Sequence, residues 1–180
     1  MNASVLVTYA SSSGSTREIA TVVAETLRTK ELTVDLEPMR AVRDLGRYSA
    51  LVFGIPLYLL RWHGDARRFL ARHRASLGPD RPTAVFTGGP TQSGSKEEWD
   101  GVRDQVAQEL SRVPWFKPVS IEFVGGRFDP TRLPFPYNLL PALRSQPASD
   151  MRDWAAIRAW ASALPDRLLT PAECAATESR

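Results

Sequence analysis

Residues Ser11, Ser12, Ser13, Gly14, Ser15 and Thr16 set five hydroxyls and a glycine between an apolar run, residues 5–9, and a stretch of helical periodicity, residues 16–27. Such residues in that place suit an anion. Backbone N–H groups at a helix N-terminus point outward, and the helix dipole favours negative charge there. Hydroxyls donate further to phosphate oxygens, and a glycine lets the backbone come close. The segment is not a Walker A loop, which needs Gly-Lys-Ser/Thr, nor a GxGxxG turn. It lacks the cysteine of a phosphatase loop, and the chain lacks the acidic cluster of a receiver domain. The plain alternative is a capping box of Ser15 with Glu18. A cap needs one hydroxyl and this loop holds five, so a phosphate site is the expectation.

Other reactive side chains are few. His63 stands two residues before Asp65. It can donate a proton near neutrality, or it can cap the helix that follows, the plainer reading. A Ser-His-Asp triad has no G-x-S-x-G elbow to carry its nucleophile. His73 falls on an apolar stripe and reads as a core residue. Cys174 is the one cysteine, which excludes an internal disulfide and a thiolate metal cage. With two histidines in the chain, no metal site is expected.

The positioning elements follow from periodicity. Residues 5–9, 32–36, 50–53, 83–86 and 119–124 are short apolar runs with β-branched members, read as strands. Residues 16–27, 65–76, 95–112 and 151–164 carry the i, i+3, i+4 stripe of amphipathic helices. The third helix opens on a capping box, Ser95 with Glu98. The last is expected to turn Met151, Trp154, Ile157, Trp160, Ala161 and Leu164 inward. Alternating strands and helices predict an α/β doubly wound parallel sheet of five strands, order 2-1-3-4-5, as a three-layer sandwich. Ligands then sit beyond the carboxyl ends of the strands. Residues 1–166 read as one domain with a proline-rich insert at 127–150, and residues 167–180 as a flexible tail.

Composition agrees with a packed domain: 43% hydrophobic, 24% charged, 180 residues in all. Net charge is +3, too little to argue for nucleic acid. The apolar run at residues 50–60 is too short for a bilayer, which takes about 20 residues. The N-terminus has no basic n-region and no apolar h-region, so the cytoplasm is expected. Arginines gather at 61, 67, 68, 72, 74 and 81. They read as a solvated face, or as a docking face for an acidic partner, an anionic membrane surface or a propionate-bearing substrate.

Ser11, Ser13, Gly14 and Thr16 occupy the positions of a T/S-x-T/S-G-x-T loop, and Ser15 to Ala20 continues Ser-Thr-Arg-Glu-Ile-Ala. The chain resembles the flavodoxin-domain family, specifically the group that includes menaquinone-dependent protoporphyrinogen oxidase. Phe53-Gly54-Ile55 through Trp62-His63 and Arg152-Asp153-Trp154-Ala155-Ala156-Ile157 resemble that group too. The resemblance covers roughly residues 4–165. It implies a flavodoxin-like fold and noncovalent FMN, with the flavin carrying the electrons.

By that resemblance Pro56, Leu57, Tyr58 and Trp62 lie along one face of the isoalloxazine ring, with Tyr58 or Trp62 stacked on it. The alternative is that Leu57, Leu59 and Leu60 plug the sheet edge while Trp62 anchors the next helix. Thr87, Gly88, Gly89 and Pro90 follow the fourth strand at the ring's edge. Many flavodoxins place an aromatic there; this chain has none, which suits access by a substrate. Phe135 or Tyr137 of the insert are candidates to cover that face. The insert is apolar, and its charges are mixed where the membrane-associated oxidase is basic. Arg61, His63, Arg67 and Arg68 beside the ring are expected to favour an anionic reduced flavin.

The leading expectation is an FMN-dependent oxidoreductase passing electrons between a small organic substrate or quinone and the flavin. The first alternative is a flavodoxin-type carrier between redox protein partners. The second is a phosphate-ligand binding module without redox work. No transmembrane segment is expected, which leaves peripheral contact with a membrane as the one membrane role.

Overall fold

The computed structural model describes residues 3–169 apart from 59, 60, 92, 134 and 136, and not the side chain of Tyr137. The expectations for Leu59, Leu60, Cys174 and the Tyr137 ring therefore concern residues outside those described. In chain order the elements are β1 (Ser4–Tyr9), α1 (Ser15–Arg28), β2 (Thr33–Pro38), β3 (Ala50–Ile55), β4 (Leu57–Tyr58) and β5 (Arg61–Trp62). Then come α2 (Gly64–Arg72), β6 (Thr83–Gly88), α3 (Lys96–Ser111), β7 (Ser120–Val124), β8 (Arg127–Phe128), α4 (Pro141–Arg144), β9 (Ser149–Asp150), α5 (Trp154–Ala163) and α6 (Pro165–Leu168).

Five strands form one parallel sheet in the order β2-β1-β3-β6-β7. Counting its members along the chain, this is the expected 2-1-3-4-5 order. Strand β3 is buried along its whole length because both faces are covered. The pleat of β1 sorts two cores. Val5 and Val7 pack with Ile19, Val23 and Leu27 of α1 and with Ile157 and Trp160 of α5. Leu6, on the other face, joins Phe53, Ile55, Phe69, Leu70 and Val106 beneath α2 and α3. The strand order reverses direction between β1 and β3, so the loops leaving their carboxyl ends diverge and open a crevice.

Several expectations are corrected. The last helix begins at Trp154, capped by Asp153, whose side chain accepts from Ala156 N–H at 2.9 Å. Met151 precedes it and is exposed rather than inward. The tail does not leave the body at residue 167: Leu168 and Leu169 are buried against the α1 core. The insert is a short excursion closed at its foot by the antiparallel pair Arg127–Asp150 and Phe128–Ser149. Gly126 N–H donates to the Pro90 carbonyl at 2.7 Å, and Met151 N–H to the Gly126 carbonyl at 2.9 Å. No described helix is long and apolar enough to cross a membrane.

Candidate functional site

A cleft of about 620 Å³ lies at the carboxyl ends of β3, β6 and β7. One end is the start of α1. Gly14 is the residue before that helix, with φ 92°, a left-handed conformation that a side chain would strain. Ser11 Oγ accepts the Gly14 N–H at 3.0 Å, which shapes the turn. No side chain caps the helix. The alternative reading of a Ser15–Glu18 capping box does not apply: Ser15 is already the first helical residue, and Glu18 pairs with Arg152. The first intrahelical bond runs from Glu18 N–H to the Gly14 carbonyl at 3.1 Å. The N–H groups of Ser15, Thr16 and Arg17 therefore have no intrahelical acceptor.

The five hydroxyls divide. Ser13, Ser15 and Thr16 line the cleft. Ser11, Ser12 and Gly14 line a smaller pocket of about 200 Å³ with Arg17, Arg40 and Asp65. Ser12 Oγ lies 2.7 Å from His63 Nε2. His63 Nδ1 accepts the Asp65 N–H at 3.1 Å and so caps α2. With Nδ1 accepting, the neutral ring donates from Nε2 to Ser12. Burial pulls the His63 pKa below 6.5, aided by Arg68 and Arg67 and opposed by Asp65. The capping contact is that of the plainer sequence reading. Tyr58 hydroxyl lies 3.3 Å from Ser13 Oγ, so the β4–β5 hairpin is fastened to the serine loop at two points.

The hairpin is fastened again on its far side. Glu109 of α3 is almost fully buried, accepts from Arg61 Nε at 2.7 Å and from Trp62 N–H at 3.3 Å, and pairs with Arg112. Sequence reasoning passed over Glu109. The available signal was an acid on the inward stripe of α3, three residues after the buried Val106. Of the cations expected beside the ring, Arg61 shares the Glu109 carboxylate with Arg112, Arg68 pairs with Asp65, and burial holds His63 toward its neutral form.

Pro56, Leu57 and Tyr58 line the cleft. Trp62 does not: its indole turns into the core under α2, 2% exposed. Of the two aromatics, the hairpin brings Tyr58 to the cleft. Thr87, Gly88 and Gly89 line it as well, whereas Pro90 does not. Thr87 Oγ1 donates to the Ile55 carbonyl at 2.7 Å, locking β6 to β3. A Cβ at Gly89 would overlap the Val124 carbonyl and press on the Trp99 ring, so only glycine lets the strands converge there. The loop beyond is gathered by Glu98, which accepts from the N–H groups of Thr91, Ser93 and Gly94 at 2.9–3.1 Å. Ser95 caps α3 as expected, but the Glu98 carboxylate serves this loop.

The opposite wall belongs to the insert. Phe128, Leu133 and Leu143 line the cleft with Arg127, Asp129, Arg132 and Arg152. Phe135, offered from sequence as a ring cover, is 77% exposed and does not line it. Glu18 on α1 ties this wall down. Arg152, almost fully buried, reaches it at 2.7 Å, Arg127 at 3.3 Å and Arg132 at 3.8 Å. Arg152 also pairs with Asp150 at 2.6 Å, which holds that carboxyl below its ordinary range. None of these partners was read from the sequence, because their separation along the chain hides them.

A family profile described as "Flavodoxin domain" matches residues 6–137. No curated protein sequence matches the chain. Among solved structures, oxidised flavodoxin 1 from Bacillus cereus is 16% identical with a TM-score of 0.60, over 93% of this chain and 100% of that one. A flavodoxin from the domain Archaea is 14% identical with a TM-score of 0.56, over 91% and 96%. A flavo di-iron protein from Thermotoga maritima is 17% identical with a TM-score of 0.58, over 94% of this chain and 36% of that longer one. At such identities the structural likenesses are likenesses of fold.

Proposed function

The chain belongs to the flavodoxin domain family and its cofactor is FMN, and from that premise we propose that it is an FMN-dependent oxidoreductase acting on a small organic substrate or a quinone. The residues fit the cofactor: an uncapped helix start preceded by a left-handed glycine brings the Ser13, Ser15 and Thr16 hydroxyls to one end of an apolar cleft. Bound FMN supplies reversible electron transfer. The protein supplies the rest. The N–H groups of Ser15, Thr16 and Arg17, with the Ser13 and Thr16 hydroxyls, would hold the phosphate, and Pro56, Leu57, Tyr58, Gly88 and Gly89, which line the cleft, would hold the ring.

The observation that carries the oxidoreductase reading over a carrier is the insert wall. Phe128, Leu133 and Leu143 continue the cleft past the loops that would hold the ring, and the loop after β6 puts no aromatic in the way. This leaves a largely apolar space for a planar substrate. The test is stopped-flow reoxidation of the reduced holoprotein by a soluble benzoquinone. Saturation with quinone, relieved by Leu133→Trp at unchanged FMN affinity, supports a substrate site. A rate linear in quinone and indifferent to Leu133→Trp would instead favour the carrier between redox proteins.

A further inference from the structure

Arg132 stands out among the cations of the cleft. It sits on a short turn, Pro130–Arg132, at the start of the insert. Asp129 fixes that turn by accepting from Thr131 N–H at 3.0 Å and Thr131 Oγ1 at 2.6 Å. Asp129 is itself held by Arg127 at 3.3 Å, and Arg127 by Glu18. The foot of the turn is thus anchored to the first turn of α1. Arg152 and Arg127 are committed to that anchorage, 4% and 27% exposed. Arg132 is not. It is 51% exposed, and its contacts are long: 3.8 Å to Glu18 and 3.5 Å to Asp129. Its Nη1 lies 3.9 Å from the point where a Cβ on Gly14 would sit. A cation held loosely by two carboxylates therefore flanks the glycine that opens the uncapped helix.

We propose that Arg132 is a phosphate ligand supplied by the insert. The guanidinium leaves its long contacts with Glu18 and Asp129 and bonds the anion at the start of α1, so that one side chain joins the phosphate end of the cleft to the wall of its substrate end. The inference rests on the FMN reading above. Guanidinium suits this task because its fork donates two parallel bonds to phosphate, where an ammonium acts as a point charge. The two carboxylates hold Arg132 only at 3.5 and 3.8 Å, while a phosphomonoester offers about as much charge on one group, within reach of a short bidentate contact.

The experiment is a fluorescence titration of the full-length apoprotein with FMN and, separately, with riboflavin, for the wild type, Arg132→Gln and Arg132→Lys. Arg132→Gln is expected to weaken FMN binding about tenfold, the effect of losing one charge-assisted contact at a half-exposed position. Riboflavin affinity should stay unchanged, and Arg132→Lys should fall between. The FMN affinity of the wild type should also decline more steeply with salt than that of Arg132→Gln. Unchanged FMN affinity in Arg132→Gln overturns the assignment. An equal loss for both flavins overturns it too, since that would mean the side chain only props the insert. A wild type that binds riboflavin as tightly as FMN would sink the phosphate reading of the loop, and the Arg132 proposal with it.

Discussion

His63 has both ring nitrogens engaged, one by the Asp65 N–H and the other by Ser12, and that arrangement exists for the neutral ring alone. A protonated Nδ1 cannot accept. Because burial depresses the folded pKa below 6.5, the unfolded chain binds the proton more readily. The stabilisation is complete above about pH 6.5 and is lost as pH falls through the folded value. Urea midpoints at about pH 7.5 and about pH 5 should therefore separate, and His63→Asn should narrow the gap, since an amide oxygen caps the helix without titrating. A gap as wide in His63→Asn would assign the pH dependence to other groups. The hydroxyls carry a second prediction. Ser13→Ala and Thr16→Ala should each weaken FMN about ten- to hundredfold, from charged-group hydrogen bonds worth ~1.5–3 kcal/mol. Riboflavin should bind nearly as before in both, and equal losses would show that the loop does not read phosphate.

The β4–β5 hairpin is two strands of two residues, too little to hold its own shape. Its position comes from outside: the serine loop on one side, the buried Glu109 on the other. Removing Glu109 would leave the Trp62 N–H without its acceptor and free two arginines. Those arginines are 46% and 47% exposed and can return to water. Glu109→Ala should thus cost about 3 kcal/mol, the low end for breaking such a pair. Urea unfolding would read that loss. The effect should reach the cleft: Tyr58 loses its fixed place, and riboflavin as well as FMN should bind more weakly. This division marks what could be read from sequence. The five sheet strands and the four long helices rest on local patterns, and they came out with small errors at the ends. Met151 failed because a helical stripe continues past the residue where Asp153 caps the helix. Trp62 and Tyr58 could not be told apart, since period two puts one side chain in the core and its register needs the sheet. Glu18, Glu98 and Glu109 act on groups distant in the chain or on a loop whose shape no local pattern gives.

The sheet and its two cores do not depend on the insert. Phe135, Leu139 and Leu140 are exposed, and the strand order is complete without residues 129–148. Replacing that stretch by a two-residue Asn-Gly turn should shift the melting temperature by only a few degrees, since few buried contacts are lost. Such a protein should still bind riboflavin, bind FMN more weakly for want of Arg132, and lose saturation by quinone. Melting far below the wild type would show that the insert supports the body. The foot of the insert, where Arg127 pairs with Asp150 and Phe128 with Ser149, has a consequence for how such a chain can diverge. The two ends of the excursion are held side by side whatever lies between them. Doubling the intervening length adds only about 0.6 kcal/mol of closure entropy. Lineages sharing this sheet are therefore free to lengthen, shorten or exchange the span above the foot, altering the shape of the cleft wall while the sheet and the serine loop stay as they are.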